Sequence, residues 1–166
     1  MRSSHIVPAV AVLGVLAAAS ATLPSSAATR HAPRGEVHEV LILDEPFEGG
    51  STKFIDVGAK GVGPGDTFLS TGLPAYLHST GRRIGTFDGV ETIVSAKHDG
   101  VVDESGTLRL RDGLVMFGGV VRHDDDPFSS PVIGGTGRYS KARGQIVQLR
   151  EDSARKVTVA RLDLYR

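Results

Sequence analysis

From residue 37 onward, apolar residues recur at every second position or in short continuous runs, and no stretch carries the 3.6-residue stripe of an amphipathic helix. Only strands use a two-residue period, because successive side chains leave the backbone on opposite faces. Turn-forming residues bound the runs, drawn from 21 Gly and 8 Pro. The pattern predicts strands over Val37–Leu43, Lys53–Val57, Asp66–Tyr76, Arg83–Ala96, Thr107–Arg111, Leu114–Val121, Pro131–Gly137, Gly144–Arg150 and Lys156–Tyr165, about eight with Lys53–Val57 weak. Asp99-Gly100 and Ser105-Gly106 read as breaks, and Asp112-Gly113 as a type I′ hairpin. Short connections exclude βαβ winding. In the last strand Thr158, Ala160, Leu162 and Leu164 share one face, with Arg161, Asp163 and Tyr165 on the other. That strand would be a bare edge unless a barrel closes on it. The expected fold is all-β, a closed eight-stranded antiparallel β-barrel able to enclose one small ligand.

Charge removes other classes. The chain has 19 Lys+Arg against 19 Asp+Glu, so no global field draws nucleic acid or an anionic membrane. It has no Cys, which excludes disulfides, thiolate–zinc sites and thiol nucleophiles. At the N-terminus, Arg2 precedes an apolar run, Ile6 to Ala19, and small residues Ser25 to Ala28. That run is shorter than the about 20 residues of a bilayer span and fits a cleaved signal peptide. Residues 1–28 are thus expected to be a signal peptide, 29–36 a flexible leader and 37–166 the barrel, secreted and off the membrane after cleavage.

One segment is more specific. Pro131-Val132-Ile133-Gly134-Gly135-Thr136-Gly137-Arg138-Tyr139, continuing Ser140-Lys141-Ala142-Arg143-Gly144, resembles the GGTG…ARG word of plant dirigent proteins and a similar segment in allene oxide cyclases. Gly65-Asp66-Thr67-Phe68 through Arg83-Ile84-Gly85 and Gly89 resembles the paired second and third strands of those barrels. The resemblance runs from about residue 37 to the C-terminus. It implies an eight-stranded barrel with an apolar lumen, possible homotrimer assembly, and Gly134, Gly135 and Gly137 as structural glycines at a barrel corner. A phosphate loop is the weaker reading, since no Lys-Ser/Thr follows.

Asp44 closes the first predicted strand on the face of Val40 and Ile42. In the cyclases a Glu in the matching place enters the lumen, and the position of their lumenal Cys falls at Glu91 here. The resemblance thus makes Asp44 and Glu91 the candidate catalytic pair, two carboxylates in one apolar cavity with at least one pKa raised. The alternative is that either carboxylate points outward or forms a structural ion pair, for instance with Arg161. The cyclase Tyr falls at Val120 and the dirigent Arg at Ser140, so neither plant activity carries over intact. Phe68, Tyr76, Phe87, Phe117 and Phe128 are the large groups expected in the core or lumen, with Phe87 on the Glu91 face. In dirigent proteins an acidic residue before the glycine word polarises the bound intermediate, which points to Asp124–Asp126, with Asp125 as the ligand-binding candidate. That acidic run lacks the spacing of a calcium loop, and His78 and His98 sit beside turns without partners at ligand spacing. No metal and no cofactor is expected, and no nucleophile elbow is present.

Three functions fit these features. One is a barrel that binds a small apolar molecule and steers its cyclisation, isomerisation or coupling. The others are a non-catalytic, lipocalin-like carrier and a barrel packed solid.

Overall fold

The computed structural model describes residues 38–95, 100–122 and 127–166. The expected signal peptide and leader, His98 and the acidic run with Asp125 lie outside the described residues. The strands are β1 (His38–Pro46), β2 (Ser51–Ile55), β3 (Thr67–Leu77), β4 (Arg83–Ser95), β5 (Val101–Leu110), β6 (Gly113–Arg122), β7 (Ser129–Gly135), β8 (Arg143–Asp152) and β9 (Val157–Tyr165), with a 3-10 turn at Gly137–Tyr139.

All pairings are antiparallel, in the order β1-β9-β8-β7-β6-β5-β4-β3-β2. β1 also pairs with β3, through Leu43–Leu77 and Asp44–Tyr76, and the His78 amide donates to the Ile42 carbonyl at 2.9 Å. That seam closes eight strands into a barrel, and the C-terminal strand has a partner on each side, β1 and β8. β2 continues the β1 side of the seam by pairing with the first half of β3. Asp66, fully buried, fastens the 56–66 connection by accepting from the amides of Val57 (2.6 Å) and Gly63 (2.7 Å).

Two predicted turns take different form. Ser105-Gly106 lies inside β5, because a side chain at 106 would collide with the rings of Phe87 and Phe117. The β5–β6 hairpin is where expected, but Leu110 pairs with Gly113, so its loop is Arg111-Asp112. Neither loop residue has positive φ, which a type I′ turn needs, and Gly113 opens the strand at φ 149°. Of the three structural glycines, Gly137 has φ 57° and Gly135 abuts the backbone of Leu114 and Tyr139. Gly134 has open space and no positive φ, so neither sterics nor conformation requires glycine there.

The interior divides into two halves. Towards the Gly137–Tyr139 end, inward residues Leu43, Ala75, Leu108, Val115, Phe117, Val132, Ile146, Ala160, Leu162 and Leu164 form one buried cluster. Glu39 accepts there from Arg166 (2.6 Å) and Arg138 (3.2 Å), and the Arg166 guanidinium lies 5.7 Å from the centre of the Tyr139 ring. This half is packed with side chains. In the other half Ile93, Val102 and Val121 are buried, with Phe68 and Phe128 against them, and Ser130 is buried as well. Inward-facing Phe68, Glu91, Phe128, Gln148 and Thr158 all keep partial solvent contact.

Candidate functional site

The floor of the open half is aromatic. Phe87 on β4 and Phe117 on β6 stack with centroids 5.7 Å apart and planes 14° apart. Their ring tips fill the space above Gly89 and Gly106, each two residues along its strand from an inward carboxylate, Glu91 or Glu104. Glycine is required at both positions because a Cβ would enter the rings.

Three acids stand above that floor. Leu41 and Leu43 face the core, so alternation along β1 carries Glu45 inward as well. Along β4, Phe87 and Ile93 are inward, and Glu91 shares their face. Glu104 pairs with Glu91 across β4–β5 and lies on the face of Val102 and Leu108. β1 and β5 do not touch in the strand order, so the interaction between Glu45 and Glu104 crosses the interior.

Burial is the main influence on both outer members of this group. It pushes the Glu45 carboxyl up to about 7, with the Glu104 charge adding to the rise. It pushes Glu104 up to about 7 as well, with the Glu91 charge adding and the nearby Ser130 hydroxyl opposing. Glu45 Oε1 has no solvent contact and no hydrogen-bond partner. Two acids that exchange protons near neutrality, in an aromatic chamber, can donate to or accept from a bound molecule.

Asp44 is not among them. It is only 4% exposed, yet it lies on the outer face, where Leu43 and Glu45 are its inward neighbours. His78 Nδ1 lies 2.7 Å from its Oδ1 and Arg155 donates to its Oδ2 at 2.6 Å. Desolvation raises its pKa, but those two partners outweigh it and hold the carboxyl below its ordinary value. Asp44 thus forms a structural ion pair across the seam. Its partners are His78, which the sequence places beside a turn with no partner at ligand spacing, and Arg155. Arg161 instead reaches Asp163 at 3.1 Å.

Of the other sequence candidates, Glu91, Phe68, Phe87 and Phe117 face the interior, the Phe68 ring lying 4.9 Å from that of Phe54 at a 38° tilt. Tyr76 pairs with Asp44 at the seam and stands outside the core clusters, so it does not line the lumen. Val120, 67% exposed, is on the outer wall, and the inward positions beside it are Gly119 and Val121. Glu45 and Glu104 were missed, although alternation from Leu41 and from Val102 points to both. Among the described residues no group of His, Asp or Glu is arranged to hold a metal.

A groove of about 240 Å³ lies on the outside of the wall, where Leu69, Val90, Met116 and Ile133 surround the thin spot at Gly89 and Gly106.

No protein-family model matches the chain, and no curated protein matches it by sequence. Solved structures share its fold. A pyocyanin demethylase aligns at TM-score 0.62 and 20% identity, over 76% of this chain and 99% of its own. A pterocarpan synthase dirigent protein aligns at 0.61 and 15%, over 78% and 83%. An exo-specific intermolecular Diels-Alderase aligns at 0.58 and 17%, over 79% and 98%. The chain has the barrel fold of dirigent proteins and cyclases, as its glycine word suggests.

Proposed function

We propose that the open half of this barrel binds a small, largely apolar molecule and steers its cyclisation, isomerisation or coupling. The observation that carries this reading is the placing of Glu45 and Glu104 across a chamber floored by Phe87 and Phe117. An apolar guest would be held in one conformer against the rings, which lowers the entropic part of the barrier. Partial exclusion of water keeps one acid protonated near neutral pH and its neighbour able to accept a proton. Barrels of the same fold in a dirigent protein and a Diels-Alderase support this class of chemistry.

Mass spectrometry of small molecules that co-purify with the protein would supply the substrate. With it in hand, Glu45→Gln and Glu104→Gln should each cut turnover at least about tenfold. Binding of the neutral dye Nile red should be unaltered. Full turnover in both variants, with the dye still bound, leaves the carrier reading in place of catalysis. We further propose export, from the apolar segment Ile6 to Ala19, and trimer assembly, from the resemblance. Light scattering on the purified barrel tests the assembly.

A further inference from the structure

Among the described residues, the inward face of the open half carries acids and no bases. Along β1, β4, β5 and β8 its charged residues are Glu45, Glu91, Glu104 and, at the rim beside Thr158, Glu151. The other inward residues there are Phe68, Ile93, Val102, Val121, Phe128, Ser130, Gln148 and Thr158. Among the described residues this face contributes no Lys, Arg or His, because Arg155 and Lys156 are engaged outside, with Asp44 and Glu48. A buried carboxylate without a counter-charge is costly, and a stable fold normally neutralises one with an ion pair. Asp44 has that arrangement, one residue from Glu45. Glu45 does not, and its Oε1 has no partner within the protein.

Aromatic rings stand near these acids, Phe68 and Phe128 against the apolar wall and the Phe87–Phe117 stack below, and would pack against an aromatic guest. An N–H⁺ donor makes its strongest hydrogen bonds to carboxylates. The same surroundings repel a carboxylate ligand.

Resting on the reading of this half as a ligand chamber, we infer that its ligand is an aromatic or polycyclic amine, whose protonated nitrogen meets Glu45 and Glu104, and that fatty-acid-type carboxylates are rejected.

Three probes of one shape test this: 1-naphthylmethylamine, 1-naphthalenemethanol and 1-naphthoate, titrated calorimetrically into the intact barrel. At about pH 8 the amine should bind about tenfold tighter than the alcohol, and the carboxylate about tenfold weaker. At about pH 5.5, where the two acids are largely protonated, the amine's advantage should fall to within about threefold. The double variant Glu45→Gln/Glu104→Gln should bind the amine no tighter than the alcohol at both pH values. Should that variant fail to fold, the pH series on the unaltered protein decides alone. Equal or tighter binding of the carboxylate, or an amine preference indifferent to pH, overturns the inference. If the alcohol binds and the amine shows no preference, the chamber stands and this inference falls. If none of the three binds the folded barrel, the chamber reading falls too.

Discussion

Glu45 on β1 and Glu104 on β5 interact across the barrel interior, although no hydrogen-bonded ladder joins their strands. Strand order puts β9, β8, β7 and β6 between them on one side and β3 and β4 on the other. Only a closed cylinder brings them together.

Their raised pKa values set a pH dependence with a definite sign. Both carboxyls go from 4.5 to about 7 on folding, so between those pH values the folded chain holds protons that the unfolded chain has released. Stability from this source is therefore full below about pH 4.5 and is lost as pH rises through 7. Glu104→Gln should stabilise the barrel by about 2 kcal/mol at pH 8 and by almost nothing at pH 4.5. Urea unfolding at the two pH values checks this, and equal effects at both would refute it.

Asp44 has the opposite sign. Its carboxyl is held below 3.8, so its contribution is present above that value and is lost as pH falls through the lowered pKa. Asp44→Asn should cost about 1–2 kcal/mol at neutral pH by weakening the bonds to His78 and Arg155. Both partners are partly exposed, which keeps the figure at the low end for charged bonds. Ligand binding should be unaffected, because the side chain is on the outer face. A thermal-shift series with Nile red titrations reads both.

Gly106→Ala places a methyl group inside the Phe117 and Phe87 rings. Overpacking of this kind should cost about 2–3 kcal/mol. Phe117→Leu in the same chain should recover part of that loss, since it removes the ring nearest the new methyl. A double-mutant cycle by chemical denaturation would show the coupling, and simple additivity of the two changes would contradict the contact.

Asp66→Ala should release the amides of Val57 and Gly63 at about 2 kcal/mol, with both donors losing their partner. Hydrogen exchange should quicken at those two amides while β8 and β9 keep their protection.

The sequence determined the strands, their antiparallel sense and the need to close the sheet. Alternation in β9 was legible over its second half, because Ala160, Leu162 and Leu164 are separated by Arg161 and Asp163. In β1 the run Val40-Leu41-Ile42-Leu43 is apolar on both faces, so nothing local says which face is buried, and a slip of one position exchanges Asp44 for Glu45. Glu104 was hidden for a different reason. Ser105-Gly106 looks like a turn until two rings from other strands need the space above the glycine. Which acid meets the chamber, and which meets Arg155, was decided by strands far apart in the chain closing into one cylinder, since burial and charge pairing depend on neighbours that alternation cannot see.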